Sequence, residues 1–168
     1  MSLADSPALD STELLRKLTA RGVDFVVIGG IAVVLHGSAR ITQDLDVCFA
    51  TDAGNLSALG HVLADLDARL RGVEEDVPFV PDARTLRSAE VLTLVTKLGA
   101  LDVLARPAGV QGYQQLRRRA ERFELDRFSV LVAAIDDLVA MKHAAGRPKD
   151  LADIAELQAI ARLRRRAH

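Results

Sequence analysis

The chain has 168 residues, a length that suits one domain with one hydrophobic core. Its 22 Lys and Arg residues against 23 Asp and Glu residues give a net charge of -1, so the overall charge provides no drive toward nucleic acid. A single cysteine, Cys48, excludes an internal disulfide and most cysteine metal sites. No apolar run approaches the roughly 20 residues that cross a bilayer, and the first ten residues lack the order of a signal peptide. We therefore expect a cytoplasmic protein without a membrane segment.

The first half of the chain alternates between helical and strand patterns. Residues 11–21 combine capping residues with helical spacing, and residues 24–30 form an apolar run that ends in two glycines. A short helix over 31–36 and a strand over 41–49 follow. Apolar residues at helical spacing then predict a long helix over 55–71.

The second half continues this alternation. Residues 73–88 contain two prolines and are predicted to form a connecting loop or an edge element. Two strands, a helix and a last strand are predicted next, over 89–97, 100–107, 113–124 and 128–135. Helices over 136–146 and 149–165 end the pattern.

Strands interleaved with helices predict an α/β (α+β) fold with a mixed β-sheet of about five strands covered by helices. We expect a single domain over residues 1–168. The C-terminal helices, at about 136–166, are expected to pack on or beside the sheet.

Two acids on the predicted strand 41–49 are the first candidate site. Side chains alternate along a strand, so Asp44 and Asp46 point to the same face. Such a carboxylate pair suits a hard divalent cation, Mg2+ or Mn2+. The pair follows a turn at Gly29 and Gly30 that opens a helix, where backbone N–H groups can hold phosphate oxygens. Two surface acids on an edge strand would look the same in sequence, so both interpretations stay open at this point.

Asp102 is the second candidate, because the predicted strand around it is otherwise apolar. A buried carboxylate needs a partner, so Asp102 must face solvent, a cation or a metal. One interpretation is a salt bridge to an arginine. The other is that its strand neighbours the strand of Asp44 and Asp46, so that three carboxylates converge on one or two ions. If these ions assist the attack of an acceptor hydroxyl on a phosphate, Asp102 would be the metal ligand nearest to the attacking oxygen.

Together these residues resemble the polymerase-beta-like nucleotidyltransferase superfamily, whose signature is an apolar strand, a Gly-Gly or Gly-Ser turn, a short helix and Asp-x-Asp on the next strand. The segment GGIAVVLHGSARITQDLD is most similar to the branch that holds abortive-infection toxins and lincosamide-modifying enzymes, through Gly37, Arg40 and Thr42. The tail MKHAAGRPKDLADIAEL is similar to the same branch at five positions, which are Lys142, Arg147, Lys149, Asp150 and Asp153.

The resemblance implies a nucleotidyltransferase fold and the transfer of a nucleoside monophosphate from a nucleoside triphosphate, with Mg2+ or Mn2+, to an acceptor hydroxyl. The implied catalytic residues and metal ligands are Asp44, Asp46 and Asp102. The implied nucleotide-binding residues are Gly29, Gly30, Arg40, Thr42 and Lys142. Arg40 either clamps a phosphate or pairs with Asp44, and Lys142 either faces the phosphates or snorkels from an amphipathic helix. Asp150 and Asp153, at the start of the last helix, either act in the site or only favour the helix dipole.

Two functions of different classes remain open from the sequence. The first is an enzyme acting on RNA, with tRNA among the candidates, on a protein or on a small molecule, in a toxin-antitoxin setting or outside one. The second is a non-catalytic module of the same fold that binds a nucleotide or serves as a toxin-antitoxin partner, which the small size and balanced charge favour. A partner protein or a homodimer is compatible with both.

Overall fold

The structure is a computed structural model that describes residues 6–72 and 79–168. Within these residues, the strands are β1 (Phe25–Ile28), β2 (Asp44–Phe49), β3 (Arg69–Leu70), β4 (Val91–Thr96), β5 (Gly99–Leu104), β6 (Glu121–Glu124) and β7 (Ser129–Val132). The helices are α1 (Ser11–Ala20), α2 (Gly29–Leu35), α3 (Ala53–Asp65), α4 (Ala83–Ser88), α5 (Tyr113–Arg119), α6 (Ile135–Ala145) and α7 (Pro148–Arg166). In this part of the chain, no helix combines the length and the apolar character that crossing a membrane requires.

The strands form one mixed sheet in the order β3-β4-β5-β2-β1-β7-β6. The central strand β2 pairs in parallel with β5 and antiparallel with β1. The pair β1 and β7 is also parallel, whereas β3, β4 and β6 each join the sheet through antiparallel pairing. The predicted mixed sheet with helices around it is confirmed. This topology brings the two strands that carry the candidate acids next to each other.

Alternation along β2 separates the core from the candidate site. Leu45, Val47 and Phe49 are almost fully buried, and they point to the opposite face from Asp44 and Asp46. Aliphatic side chains dominate the buried core, as the composition predicts. Strand β2 therefore presents one apolar face to the core and carboxylates on the other.

The described residues contain seven strands, two more than the predicted count of about five. The helix predicted over 55–71 ends at Asp65, and Arg69–Leu70 pairs with β4 as β3. The helix predicted over 113–124 ends at Arg119, and Glu121–Glu124 forms an antiparallel hairpin with β7. Both short strands lie at sheet edges, where pairing with a neighbour overrides a helical pattern.

The region predicted as a loop or edge element contains a short helix. Asp82 caps α4 by accepting a hydrogen bond from the backbone N–H of Thr85. The rest of that prediction, over 73–78, falls outside the described residues.

Candidate active site

Three aspartates from two neighbouring strands meet on one face of the sheet. Asp46 and Asp102 are directly paired in the parallel register of β2 and β5, and Asp44 lies two residues before Asp46 on the same face. One carboxylate oxygen from each residue can be chosen so that all three lie within 4.8 Å of one another. The convergence predicted for these three side chains is therefore present in the fold.

Burial and repulsion among its members both oppose ionisation of the triad. Burial raises the pKa of Asp46 to about 8, and the charges of Asp44 and Asp102 act in the same direction. Burial also raises the pKa of Asp102, against the opposing effects of its hydrogen bond with Asp46 and of the Arg71 charge. A divalent cation would relieve this repulsion, so the donor set fits a metal that prefers oxygen ligands.

Arg71 is a partner of Asp102 that the sequence did not reveal. Its guanidinium Nη2 lies 2.7 Å from Oδ1 of Asp102, and the two side chains are only 17% and 19% exposed. The two interpretations of Asp102 are therefore both realised, because this residue forms a salt bridge with an arginine and belongs to the carboxylate triad.

The glycine turn lies directly against the triad. Gly29 begins α2 with a φ of +68°, and a β-carbon there would lie 2.1 Å from Oδ2 of Asp46. A β-carbon at Gly30 would lie 2.7 Å from Oγ1 of Thr42. The turn thus requires small residues because the backbone approaches both side chains closely. No side chain caps the start of α2, which leaves its first N–H groups without such a partner.

Lys142 on α6 is held in a buried ionic cluster. Its Nζ lies 2.7 Å from Oδ2 of Asp153 and 3.4 Å from Oδ1 of Asp150. Arg40 contacts the same oxygen of Asp153. Two interpretations are therefore corrected: Arg40 pairs with Asp153 rather than with Asp44, and Lys142 is a buried ion-pair partner rather than a surface lysine that snorkels.

Asp150 closes this cluster at the start of α7. Its side chain is 1% exposed and accepts hydrogen bonds from the backbone N–H of Arg147, at 3.1 Å, and from Nε of the same residue, at 2.9 Å. Burial opposes ionisation of Asp150 and Asp153, but bonds and charges from their cationic neighbours outweigh it and lower both pKa values. The two acids therefore do more than favour the helix dipole.

The triad, the glycine turn and the two cations of the ionic cluster, Arg40 and Lys142, line one pocket of about 290 Å³. All eight residues predicted for the site border it, namely Gly29, Gly30, Arg40, Thr42, Asp44, Asp46, Asp102 and Lys142. Arg147 and Lys149 add two further cations, and Leu138 and Met141 of α6 add apolar surface. The pocket can therefore hold a ligand that carries both a divalent cation and several negative charges.

A family model described as "nucleotidyltransferase of unknown function (DUF6036)" matches residues 9–164. The chain belongs to this nucleotidyltransferase family. No curated protein sequence matches it significantly. The superfamily resemblance predicted from the glycine turn and the paired acids is thus confirmed.

Solved structures of other nucleotidyltransferases share the fold of this family member. A lincomycin-bound lincosamide antibiotic adenylyltransferase is 18% identical, with a TM-score of 0.60 over 92% of this chain and 99% of the other. The antibiotic-resistance factor ANT(2'')-Ia is 14% identical, with a TM-score of 0.54 over 93% and 90% of the two chains. An antigenic nucleotidyltransferase-like protein from Paracoccidioides brasiliensis is 19% identical, with a TM-score of 0.51 over 94% and 79%.

The sequence analysis did not identify Arg71, the arginine beside the triad, as a residue of the site. Arg71 is the last residue of the helix predicted over 55–71, where it looks like an exposed terminal arginine. Arg147 and Lys149 were visible in the tail motif but carried no assigned role. Their places in the pocket follow from the docking of α7 beside α6, which no local pattern encodes.

Proposed function

We propose that this chain transfers a nucleoside monophosphate from a nucleoside triphosphate to an acceptor hydroxyl, with Mg2+ or Mn2+. The observation that carries the proposal is the composition of the pocket, in which three clustered carboxylates and four cationic side chains border one cavity. A metal-bound triphosphate needs both kinds of group, carboxylates for the ion and cations for the phosphates. Membership of a nucleotidyltransferase family supports the same reaction class.

Asp44, Asp46 and Asp102 would hold the metal. When bound there, a divalent cation supplies Lewis-acid stabilisation of the phosphate charge and lowers the pKa of the attacking hydroxyl. We assign Asp44 and Asp46 to the triphosphate and Asp102 to the acceptor, because Asp102 lies on the other strand of the pair. The acceptor oxygen forms a bond to the α-phosphorus, its proton leaves toward Asp102, and pyrophosphate departs with the electrons of the broken P–O bond.

The remaining pocket residues would bind and orient the phosphates. Gly29 and Gly30 offer backbone N–H groups at the uncapped start of α2, and Thr42 offers a hydroxyl beside them. Four cations complete this set, which are Arg40, Lys142, Arg147 and Lys149. Among them Lys149 is exposed and forms no ion pair with any described residue, so it is the most available to a new anion.

The acceptor hydroxyl belongs to a small molecule, an RNA such as tRNA, or a protein. The structural neighbours include a lincosamide antibiotic adenylyltransferase, so hydroxylated antibiotics form the first arm of a screen. Total tRNA forms the second arm of the screen, and total protein forms the third. The protein arm includes a candidate toxin-antitoxin partner.

A labelled-triphosphate assay tests the proposal directly. The purified chain is incubated with Mg2+ or Mn2+, each labelled triphosphate in turn and each acceptor class, and transfer is measured. Asp46→Asn is the matched control, since it removes one triad charge without changing side-chain size. Calorimetry that shows no binding of any triphosphate at millimolar metal would overturn the proposal.

A second candidate function is nucleotide binding without transfer. The observation that favours it is that two side chains assigned to the site already have partners, since Arg71 holds Asp102 and two aspartates hold Lys142. Triphosphate binding that depends on Asp46, with no transfer to any acceptor class, would select this function.

A further inference from the structure

Arg71 follows the last residue of β3, at the edge of the sheet, yet it reaches the central acids. The backbone N–H of Arg71 donates to the carbonyl of Thr93, and Thr93 is paired in register with Asp102. Asp102 in turn is paired with Asp46. Residues paired across neighbouring strands point to the same face, so one row of side chains runs from Arg71 to Asp46 over four strands.

The contact between Arg71 and Asp102 differs from an ordinary surface ion pair. Lys97 and Asp67 lie 3.6 Å apart with side chains that are 61% and 64% exposed, and such pairs contribute little. Arg71 and Asp102 are largely shielded and lie at hydrogen-bond distance. A shielded, charge-assisted hydrogen bond to a guanidinium restricts the orientation of the carboxylate that accepts it.

We propose that Arg71 is a positioning residue that holds Asp102 in the orientation in which it can bind the metal. Without Arg71, the charge of Asp44 would repel the Asp102 carboxylate from the triad before an ion binds. With Arg71 in place, Oδ1 of Asp102 is held and its other oxygen remains for an ion. This role rests on the proposed function, since it requires the triad to bind a metal.

A role of Arg71 as a positive charge and a role as a positioning residue predict opposite changes in metal affinity when Arg71 is removed, so an experiment can distinguish them. If Arg71 only adds a positive charge near the ion, removing it should tighten metal binding. If Arg71 positions Asp102, removing it should weaken metal binding despite the lower repulsion. Arg69 supplies the matched control, because it lies two residues earlier, on β3, is exposed, and forms no ion pair within the described part of the chain.

The test is a titration with Mn2+ alone, followed by electron paramagnetic resonance, on the wild-type chain and on Arg71→Gln, Arg71→Lys, Arg69→Gln and Asp102→Asn. We expect Arg71→Gln to weaken Mn2+ binding at least about tenfold, the equivalent of 1.4 kcal/mol. Arg69→Gln should bind Mn2+ as tightly as the wild type or more tightly. Arg71→Lys should recover part of the loss because the lysine keeps the charge and can donate a hydrogen bond, but lacks the planar guanidinium.

A double-mutant cycle shows whether Arg71 acts through Asp102. In the Asp102→Asn background, Arg71→Gln should cause no further loss of Mn2+ affinity. Equal losses in both backgrounds, or wild-type Mn2+ affinity in Arg71→Gln, would overturn the positioning role while leaving the proposed function intact. If Arg71→Gln does not fold, the same cycle with Arg71→Lys gives the same decision. A wild-type chain that binds no Mn2+ would instead overturn the proposed function, and this role with it.

Discussion

The backbone of Gly29 lies against the side chain of Asp46, so closely that a β-carbon at Gly29 would be only 2.1 Å from Oδ2 of Asp46. The first residue of α2 and the second acid of the Asp-x-Asp pair therefore lie against each other, although they stand 17 positions apart in the chain. The short helix and the central strand place backbone N–H groups beside a candidate metal ligand. Any side chain at Gly29 would have to displace that ligand.

Gly29→Ala should therefore weaken metal and triphosphate binding as well as folding. The positive φ alone costs about 1–2 kcal/mol in unfolding free energy for a residue with a β-carbon. Gly22→Ala is the control, since Gly22 has a φ of +73° with nothing within 4 Å of its added β-carbon. Urea unfolding should show a loss in both variants, and Mn2+ titration should show a loss only in Gly29→Ala. Equal Mn2+ affinity in the two variants would contradict the assigned contact.

The stability of the metal-free chain should fall as pH rises toward 8. The pKa of Asp46 is raised from 3.8 to about 8, so between these values the folded chain keeps a proton that the unfolded chain has released. The contribution of Asp46 to the unfolding free energy therefore decreases through this window and is constant above it. Below pH 6.5, His36 makes the unfolding free energy rise with pH. Burial lowers the pKa of His36, so in this range the histidine is protonated in the unfolded chain but not in the folded chain. Thermal unfolding in EDTA between pH 6.5 and 8 follows the contribution of the triad, below the range in which the raised pKa of the buried Cys48 thiol adds a further decrease.

Substitution shows whether Asp46 causes this slope. Asp46→Asn should flatten the pH dependence and stabilise the metal-free chain near pH 8, because it removes the repelling charge. Asp65→Asn is the control, since Asp65 is 55% exposed and pairs with Arg21 at the surface. A slope that survives in Asp46→Asn would show that another group titrates.

Lys142→Met should destabilise the fold and Lys149→Met should not. Lys142 is buried between Asp150 and Asp153, and losing one member of a buried ion pair costs roughly 3–5 kcal/mol. We expect less than this range, because Arg40 and Arg147 remain as partners of the two acids. Lys149 is exposed, and its loss should change the unfolding free energy by no more than about 0.5 kcal/mol.

The same two variants separate folding from ligand binding. Lys149→Met should weaken triphosphate binding measured by calorimetry while leaving the unfolding curve in place. Unchanged triphosphate affinity in a stable Lys149→Met protein would remove Lys149 from the proposed phosphate site.

Asp102→Asn should separate nucleotide binding from transfer. Asp102 lies on β5, while Asp44 and Asp46 lie together on β2, so the triphosphate-bound ion keeps two ligands in the variant. We expect triphosphate affinity to fall little and the transfer rate to fall by roughly 10²–10⁴-fold, as for loss of a group that assists proton transfer in the transition state. Single-turnover transfer and equilibrium binding measure the two effects separately. A loss of triphosphate binding as large as in Asp46→Asn would refute the division of roles.

The acids could be found from the sequence because their signal is local. Asp44 and Asp46 stand two apart in a strand pattern, so their shared face follows from the period of a strand, and Asp102 is noticeable because it interrupts an apolar strand. The order of the strands is not local. That Asp102 pairs with Asp46 depends on a parallel pairing of β2 with β5, which the sequence supports only through the family resemblance.

The cations were harder to interpret, because charge partners depend on tertiary packing. Arg40 and Asp153 stand 113 positions apart, and nothing in the spacing of either identifies the other. Arg71 was assigned to the end of the helix predicted over 55–71, which is longer than the observed helix. In the structure, Asp67 turns the chain with a φ of 50°, and β3 then pairs with β4. In both places the decisive interaction joins segments that are distant in sequence.

Asp153 joins two distant segments through a single oxygen. Its Oδ2 accepts hydrogen bonds from Lys142 on α6 and from Arg40 in the segment before β2, while its own backbone belongs to α7. If α7 opened by itself, both cations would lose that acceptor. Opening of α7 without the segment before β2 is therefore unfavourable. Native-state hydrogen exchange should therefore show α7 and the segment before β2 opening as one cooperative unit, with a common free energy of opening.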